Sequence, residues 1–394
     1  MRAEARALAE KLALAAALAS VGYAALALTR VRAFGRTLRA PVRPARRPPI
    51  TVLKPVRGRE PRLEENLRSF CAQDYPDYHV VLGVPSANDP ALPLLCALAA
   101  ESPERVEVVT GDGTAHFRNP KIANLAPMLA RARGEILVIA DSDMRVTPDY
   151  LDAIAEAFGD PSTGAATALY RGEPADRRLA SVLGAMWITE QFAPSALVSA
   201  APEPLAHTFG ATMAVRRDVL DEIGGLGALG DRLADDHALG RLVAERGRRV
   251  ALARCVVTNV VSEPDVRALA RHELRWARTI RTVRRASYLG IVLTYPIPLA
   301  LAYLAVARRR ARAIPVVAIA ALSRIALGAA ARRTFGSSGS EPAWRPIART
   351  PLRDALGIAV WALGLRGGEV RWREDALSVD ARGALRVSGE PEAR

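Results

Sequence analysis

Short apolar runs alternate along residues 48–247 with segments in which apolar residues recur every three or four positions. The runs are typical of buried strands, and the periodic segments are typical of amphipathic helices. The expected strands are Ile50–Val56, His79–Val84, Arg105–Gly111, Ile136–Asp143 and Thr163–Tyr170. The expected helices are Leu63–Gln73, Pro90–Ser102, Lys121–Arg133 and Pro148–Phe158. Such a series predicts an α/β fold with a Rossmann-like, mostly parallel sheet covered by helices on both faces.

An uncharged segment rich in Ala and Leu lies near the start of the chain, at Leu12–Thr29. Its 18 residues would form a helix about 27 Å long, close to the roughly 30 Å of a bilayer core. Arginines without an intervening acid follow it: Arg30, Arg32, Arg36, Arg39, Arg43, Arg46 and Arg47. By the positive-inside rule we expect a retained anchor in the inner (cytoplasmic) membrane, with the N-terminus outside and the following domain cytosolic. A cleaved signal peptide is the alternative, because small residues near Ala25 offer cleavage sites.

Two further apolar segments follow in the last third of the chain. Ser287–Ala307 is uncharged over 21 residues, and Ile314–Ala331 is apolar apart from Arg324. Four arginines lie between them: Arg308, Arg309, Arg310 and Arg312. A simple hairpin would place these arginines outside, whereas a bend at Pro296 and Pro298 would allow a re-entrant helix that keeps them inside. The sequence leaves both arrangements open.

The pattern also predicts how the chain is divided. The apolar run Ala355–Leu365 is too short to span a bilayer, so it predicts an interfacial helix. We expect a transmembrane anchor (about 12–29) and basic linker in residues 1–47, an α/β domain in 48–285, membrane-associated helices in 286–366, and a polar tail in 367–394.

The overall charge narrows the choice of partner. The formal net charge is +14 and the pI is about 10.5, but aromatic residues make up only 5% of the chain. The basic run at residues 30–47 contains a single aromatic residue, Phe34, so we expect no nucleic acid partner and favour an anionic membrane face. Cys71, Cys96 and Cys255 are too few and too scattered for a disulfide framework or a metal knuckle, which fits a reducing, cytosolic compartment.

The expected strand Ile136–Asp143 ends on two carboxylates one residue apart, Asp141 and Asp143. Ligands gather at the carboxyl ends of strands in open α/β sheets, so we expect these acids to face a crevice. One such carboxylate can hold Mg²⁺ or Mn²⁺ while phosphate oxygens and water complete the coordination. The motif therefore indicates a nucleotide-diphosphate site. A turn that caps the helix near Pro148 is the alternative.

Three more polar groups stand where such a sheet would use them. Asp89 follows the second strand, although it could simply cap the next helix. The pair Asp235-Asp236 opens an amphipathic helix after a Gly-Gly turn, where compensation of the helix dipole is the alternative. The segment His272–Trp276 places a histidine and an arginine on one helix face, and a solvated amphipathic face is the alternative. Its spacing is not that of the zinc-protease motif.

These pieces, taken in order, resemble one family. The chain resembles family 2/21 glycosyltransferases of the ceramide glucosyltransferase group, and most closely the bacterial hopanoid-biosynthesis-associated glycosyltransferases. The resemblance covers about residues 48–285 and much of the hydrophobic frame. Its carriers are Val52–Gly58 (VLKPVRG), Leu63–Phe70 (LEENLRSF), Gln73–Pro76 (QDYP), Asp89–Ala91 (DPA), Asn119–Leu125 (NPKIANL), Asp141–Asp143 (DSD), Ala234–Asp236 (ADD) and His272–Trp276 (HELRW).

The resemblance implies a GT-A fold and a set of site residues. It implies a nucleotide-sugar site at Lys54, Asp89, Lys121, Asn124, Asp141 and Asp143, with Asp89 near the uridine and a Mg²⁺ or Mn²⁺ ion at Asp143 and Asp141. It implies a catalytic set of Asp236 at the acceptor hydroxyl together with His272, Arg275 and Trp276, the last two by the diphosphate and the acceptor. The His272–Trp276 motif begins with His272, where the ceramide enzymes have Gln or Arg. Asp141–Asp143 corresponds to the DxD motif of the family, and the ceramide enzymes often lack its second acid. Both departures favour the hopanoid branch.

The residues support the chemistry that this family performs. A divalent ion on Asp143 and a cation such as Arg275 could neutralise a leaving diphosphate. Asp236 is the natural base for the attacking alcohol, a role that typically contributes about 10²–10⁴-fold to the rate. Because no Ser or Cys stands out as a nucleophile with its base, we favour a single displacement with inversion.

The expected reaction is transfer from a UDP-sugar, with UDP-N-acetylglucosamine first, to a lipid hydroxyl, with a hopanoid polyol such as bacteriohopanetetrol first. Alternatives are a ceramide glucosyltransferase that uses UDP-glucose and a polysaccharide synthase-like transferase, although the few membrane segments look insufficient for a polymer channel. A scaffold with a degenerate transferase domain would be expected to have lost key acids, and these are all present.

Overall fold

The computed structural model describes residues 2–111, 117–200, 205–336, 341–366, 369–372, 375–379 and 385–387. The chain forms two compact units. The sheet unit comprises residues 38–171, 202–262 and 377–394, and the helical unit comprises residues 1–37, 172–201 and 263–376.

Helices and strands are numbered along the chain. The helices are α1 Arg2–Thr37, α2 Leu63–Cys71, α3 Leu92–Glu101, α4 Pro120–Leu129, α5 Tyr150–Ala157, α6 Leu179–Trp187, α7 Ala193–Ser199, α8 Arg217–Glu222, α9 Asp235–Glu245, α10 Val266–Val283, α11 Arg285–Gly290, α12 Pro296–Val306, α13 Arg310–Phe335 and α14 Trp344–Gly364. A π-helical turn covers Ile188–Phe192, and 3₁₀ turns cover Gly225–Leu229 and Ile291–Thr294. The strands are β1 Ile50–Pro55, β2 Tyr78–Val84, β3 Val106–Thr110, β4 Ile136–Ile139, β5 Met144–Arg145, β6 Thr163–Pro174, β7 Met213–Arg216, β8 Arg249–Val261, β9 Glu369–Trp372, β10 Asp375–Val379 and β11 Leu385–Val387.

The sheet unit is built on an eight-stranded sheet in the order β3-β2-β1-β4-β7-β6-β8-β5. Strands β3, β2, β1 and β4 pair in parallel, and Val52 lies opposite Val80 on one side and Val138 on the other. Strand β7 pairs antiparallel with β4 and β6, and β5 pairs antiparallel with β8. The expected mostly parallel α/β sheet of the GT-A type is therefore confirmed, with an antiparallel extension that begins at β7.

One strand ends earlier than its apolar run predicts. Strand β4 stops at Ile139 instead of reaching Asp143. The acids occupy the loop before the two-residue strand β5, because Asp and Ser favour turn conformations over ladder pairing. This places Asp141 and Asp143 just beyond the carboxyl end of a parallel strand, where the sequence predicts them.

The core of the sheet unit lies on both faces of the parallel strands. Val52, Leu82 and Val138 are fully buried, as expected for β-branched and aliphatic side chains covered by helices on each side. Phe70 of α2 packs edge-on against Tyr150 of α5, with ring centroids 5.7 Å apart. Each buried apolar side chain of this size stabilises the fold by about 1.5–3 kcal/mol.

The basic linker belongs to the sheet unit. Arg46 forms a bidentate pair with Glu135 at 2.9 and 2.8 Å. Arg47 does the same with Asp152 at 2.8 and 2.7 Å. Two of the arginines that follow the anchor are thus bound to acids of this unit.

In the helical unit, α1, α12 and α13 pack through small side chains. Ala17, Ala300, Ala313 and Ala320 are fully buried, and residues of this size let helices approach closely. Helices α1 and α13 run in the same direction, because Glu10 pairs with Arg308, just before α13, while Phe34 meets Phe335 at its end.

Within the part of the chain that the structure describes, two helices are long and apolar enough to cross a membrane: the Glu4–Thr37 part of α1, and α13. A third segment, Arg285–Thr294 with Pro296–Val306, passes the same test only as a pair bent by 73°. The bend lies where the prolines predict it, and both a broken span and a re-entrant loop fit it. The run expected at Ala355–Leu365 forms the last part of the longer helix α14, with Leu365 as its C-cap.

The compact units group some residues differently from the expected domain division, which stays a prediction. Residues 172–201 and 263–285 fall in the expected 48–285 domain, but they cluster with the helical unit. The reason is packing between segments that are distant in sequence. Leu183 of α6 and Leu269 of α10 lie in one buried cluster, and Leu356 of α14 packs against it. The segment His272–Trp276 is therefore described with the helical unit.

Candidate active site

The loop after β4 carries the two acids of the DxD motif. Asp143 accepts a hydrogen bond on Oδ2 from Nδ2 of Asn259, 2.7 Å away. Its other oxygen, Oδ1, is buried and has no hydrogen-bond partner among the described residues. Burial, and then the neighbouring charge of Asp141, raise the pKa of Asp143 to about 7. Such a carboxylate is short of positive partners.

Lys121 lies beside these acids because Asn119 caps helix α4. The Asn119 side chain accepts from the backbone N of Lys121 at 2.9 Å, which fixes the first turn. Nζ of Lys121 lies 2.7 Å from Oδ1 of Asp141 and 3.1 Å from Oδ2 of Asp235. Burial opposes the charge on Lys121, but Asp141 and Asp235 outweigh burial and raise its pKa above the usual value. The lysine therefore stays charged and joins the DxD loop to helix α9.

Asp236 is held at the start of α9 by backbone amides. The N–H of His237 donates to its Oδ1 at 2.7 Å, and the N–H of Gly210 donates to its Oδ2 at 3.0 Å. Burial, and then Asp235, raise the pKa of Asp236 to about 6, while Lys121 works in the opposite direction. The carboxylate is thus oriented and close to the pKa that a base at neutral pH needs.

Gly210 brings Asp141 and Asp236 to one small space. A Cβ atom at this glycine would lie 2.9 Å from Oδ2 of Asp141 and 3.7 Å from Oδ2 of Asp236. A side chain there would crowd Oδ2 of Asp141, whereas its distance to Asp236 would be an ordinary van der Waals contact. Two carboxylates with different environments suit two roles, one toward a donor and one toward an acceptor.

Lys54 lies behind the acids and is fully buried. Its ammonium group donates to the backbone carbonyl of Asp141 and sits 4.0 Å from the centre of the Phe70 ring. Burial lowers the pKa of Lys54 to about 7. In this structure the side chain supports the DxD loop, and its direct contact with a nucleotide sugar stays a prediction.

Asp89 and Asn124 form hydrogen bonds with backbone groups near the ends of β1 and β2. Both carboxylate oxygens of Asp89 accept from the N–H of Gly58, at 3.0 and 3.1 Å, and Oδ1 also accepts from Ala91. Nδ2 of Asn124 donates to the carbonyl oxygens of Val56 and Gly83. These bonds order the loops after β1 and β2, and the roles of both residues at a nucleotide stay predictions.

The segment His272–Trp276 is on α10 in the helical unit. Nδ1 of His272 lies 2.7 Å from Oε1 of Glu263, and its ring meets Trp276 edge-on at 4.4 Å. Trp276 stacks on Trp187, with ring centroids 5.3 Å apart. The structure thus places His272, Arg275 and Trp276 on one helix. In the sheet unit it brings together Lys54, Lys121, Asp141, Asp143 and Asp236, whereas Asp89 and Asn124 hydrogen-bond to backbone groups near the ends of β1 and β2.

Two residues of the site have no part in the sequence predictions. Asn259 is a polar residue inside the apolar strand β8, a position that strand propensity disfavours and that could have drawn attention. Gly210 is an isolated glycine shortly before β7, which can signal a close backbone approach. Neither signal says which acid the residue would meet.

A divalent cation fits part of this arrangement. Among the described residues, no group of three or more His, Cys, Asp or Glu side chains is placed to hold a metal ion. The Oδ1 atom of Asp143 is buried and unpaired, whereas Asp141 is engaged by Lys121. The residues therefore fit an ion held by Asp143 alone on the protein side, with phosphate and water oxygens as the remaining ligands, as Mg²⁺ prefers.

The class is a glycosyltransferase of GT-A fold, which the sheet with acids at its carboxyl edge fits and the family match shows. The model of glycosyl transferase family 21 matches residues 12–385, and the chain belongs to this family.

Curated relatives agree with the family. Ceramide glucosyltransferase 3 of Caenorhabditis elegans is 24% identical over 234 residues, covering 59% of this chain and 50% of that protein. The ceramide glucosyltransferase of Komagataella phaffii is 33% identical over 113 residues, 28% of this chain and 22% of that protein. The chain spans half or less of the length of these relatives.

A solved structure agrees with the fold. The mannosyltransferase PcManGT from Pyrobaculum calidifontis, in complex with GDP-Man and Mn²⁺, has a TM-score of 0.51 and 23% sequence identity. The match covers 91% of this chain and 99% of that chain. At this identity it supports the fold alone.

Proposed function

We propose that the protein transfers a sugar from a UDP-sugar to a hydroxyl group of a membrane lipid, by a single displacement with inversion. The observation that carries this proposal is the pair of carboxylates at Gly210: Asp141, bound to Lys121, and Asp236, oriented by two backbone amides. The family places the chain among glycosyltransferases, and the two helices of membrane-spanning length favour a lipid acceptor.

Three residues of the sheet unit have different roles in the proposed reaction. Asp236 takes the proton from the attacking hydroxyl as that oxygen bonds to the anomeric carbon, and the bond from this carbon to the diphosphate breaks to release UDP. Lys121 keeps a positive charge beside Asp141, where a leaving diphosphate needs neutralisation. A Mg²⁺ or Mn²⁺ ion at Asp143 would add Lewis-acid stabilisation of the diphosphate, and the Mn²⁺ in the mannosyltransferase complex supports this choice.

The helical unit supplies the family motif. We propose that Arg275 and Trp276 act toward the diphosphate and the acceptor, as the resemblance implies, and that Glu263 holds the ring of His272 in its orientation. Buried hydrogen-bond partners of this kind fix a side chain more firmly than solvent would.

Two acceptors are candidates. A hopanoid polyol with UDP-N-acetylglucosamine is supported by the complete Asp141-Ser142-Asp143 motif and by His272 at the first motif position. Ceramide with UDP-glucose is supported equally well by the curated relatives, which carry the name ceramide glucosyltransferase.

A matrix of two donors and two acceptors tests the proposal. Purified protein in lipid nanodiscs is incubated with UDP-N-acetylglucosamine or UDP-glucose and with bacteriohopanetetrol or ceramide, and lipid products are identified by mass spectrometry. We expect one combination to dominate and to need a divalent ion. Transfer to neither lipid would contradict the lipid acceptor, and a ladder of products of increasing length would favour a polysaccharide synthase.

We further propose that the sheet unit faces the cytosol. Cys96 is exposed on α3, whereas Cys71 and Cys255 are half-buried. In a variant with Cys71→Ser and Cys255→Ser, a membrane-impermeant maleimide should label Cys96 only after cells are opened. Labelling in intact cells, absent from a Cys96→Ser control, would reverse the orientation.

A further inference from the structure

We propose that Gln191, on the π-helical turn Ile188–Phe192, binds the polar head of the lipid acceptor through hydrogen bonds from its amide. This inference rests on the proposed function and names a residue of the helical unit that would bind the acceptor. It assigns a ligand of stated chemistry, a neutral head with hydroxyl or amide groups.

The turn itself is unusual and firmly anchored. Single π-helical turns are rare and occur often at functional sites, because the extra residue shifts the side chains that follow it. Glu190, in the middle of the turn, is 1% exposed and binds two arginines of α13, Arg324 at 3.2 Å and Arg332 at a shorter distance. These ion pairs fix the turn against α13.

Gln191 differs from its neighbours in the turn. It is only 5% exposed, and both Oε1 and Nε2 are buried without a hydrogen-bond partner among the described residues. Thr189, two residues earlier, accepts a hydrogen bond from the N–H of Gly172 at 3.0 Å, and both oxygens of Glu190 are paired. A buried amide with neither end paired is destabilising, so its presence in an otherwise satisfied turn points to a partner outside the chain.

The surroundings indicate what this partner is. Gln191 follows Trp187 by four residues, which places both on one side of the helix. Trp187 is half-buried, stacks on Trp276 of the family motif, and lies 6.0 Å from the ring of Phe192. Aromatic faces of this kind bind the C–H surfaces of a lipid or polyol, while the adjacent amide can donate and accept at once.

The charges of the turn argue against an anionic head. The amide oxygen of Gln191 would face a phosphate unfavourably, and the carboxylate of Glu190 in the same turn is already balanced by arginines. Hydroxyl and amide groups, which both donate and accept, match Gln191 at both of its atoms.

The test is the variant Gln191→Met, which keeps the length of the side chain and removes its hydrogen bonds. With the lipid that the wild-type protein glycosylates, the acceptor KM should rise about 10–100-fold, as expected for the loss of one or two buried hydrogen bonds. The KM for the UDP-sugar and the slow hydrolysis of the UDP-sugar without acceptor should stay unchanged. The melting temperature in detergent should stay the same or rise, because an unpaired amide is removed.

Thr189→Val is the matched control, because it lies in the same turn but loses a hydrogen bond that the structure shows. It should lower the melting temperature and leave the acceptor KM unchanged. Should Gln191→Met not fold, Gln191→Asn withdraws the amide by one methylene and should give the same rise in acceptor KM.

Each outcome separates the two proposals. A wild-type protein that hydrolyses UDP-sugar but glycosylates no lipid contradicts the proposed function. A working wild-type protein whose Gln191→Met variant keeps the acceptor KM overturns this inference and leaves the function standing. A melting temperature that falls as in Thr189→Val, with an unchanged acceptor KM, would assign Gln191 a purely structural role.

Discussion

The sheet unit and the helical unit both enclose charged side chains, but they balance them differently. Near the DxD loop and the start of α9, four acids lie close to Lys121 or the buried Lys54: Asp141, Asp143, Asp235 and Asp236. Oδ1 of Asp143 has no hydrogen-bond partner among the described residues. In the helical unit three of the buried acids pair with arginine: Glu190 with Arg324 and Arg332, Asp354 with Arg324, and Glu273 with Arg353.

This difference indicates that the acids of the sheet unit serve ligand binding and catalysis, whereas the ion pairs of the helical unit serve folding. Carboxylates that backbone amides hold close together repel one another and destabilise the fold. A bound cation or a proton would relieve this repulsion. Paired charges bring little net stability, but they fix which helix meets which, since either partner alone would be an uncompensated buried charge. We therefore expect substitutions in the first set to change catalysis and substitutions in the second to change folding.

Asp143→Asn should give the largest effect. It keeps the hydrogen bond to Asn259 possible while removing the charge that a divalent ion needs, so kcat/KM should fall by about 10³-fold or more at saturating Mn²⁺. Steady-state transfer assays measure this, and Asp77→Asn, an exposed acid of the same unit, is the control. Unchanged activity and metal dependence would remove Asp143 from the site.

Glu273→Gln should strongly destabilise the helical unit. Glu273 forms a bidentate pair with Arg353 at 2.7 Å for both bonds, and both residues are almost fully buried. Breaking such a pair costs about 3–5 kcal/mol, which thermal unfolding in detergent would show as a lower midpoint. The double variant Glu273→Met with Arg353→Met should lose less than either single variant. A larger loss would mean that the charges themselves stabilise the unit.

The pH dependence of kcat/KM should show the titration of Asp236, the proposed base. Because the pKa of Asp236 is raised to about 6, kcat/KM should fall about tenfold per pH unit below that value and level off above it. Lys121 lowers this pKa, whereas Asp235 and Asp141 raise it. In Lys121→Met the acidic limb should therefore move to higher pH, and a limb that moves to lower pH would contradict the role of Lys121.

An exposed ion pair should give the smallest effect. Arg68 binds Glu101 on the surface of the sheet unit at 2.6 and 2.8 Å, but both side chains are about half exposed. Glu101→Gln should change the stability by less than about 1 kcal/mol, and salt should weaken even this. A loss as large as that of Glu273→Gln would erase the distinction between buried and exposed pairs.

Much of the fold follows from local patterns. The strands β1, β2 and β3 and the helices α2, α3 and α5 fall within a few residues of their predicted positions because period and burial are local properties. The acids of the DxD motif were predictable for the same reason, since an apolar strand that ends on carboxylates is visible in nine residues.

Contacts between distant residues were not predictable in this way. Asn259 meets Asp143 across 116 positions, and Arg324 meets Glu190 across 134. Arg324 stood out as a charge within an apolar run, but nothing near it in the sequence identifies its partners. The placement of residues 172–201 with the terminal helices likewise depends on packing between distant segments.

The most direct test of the central claim is the Asp236→Asn variant, measured for sugar transfer and for UDP-sugar binding in the same preparation. We expect transfer to fall by about 10²–10⁴-fold while the Kd for the UDP-sugar stays within about twofold, because the base acts only as the hydroxyl attacks. Asp221→Asn, an exposed acid of the same unit, should leave both quantities unchanged. An Asp236→Asn variant that transfers sugar at a near-normal rate would contradict the assignment of the base and the mechanism built on it.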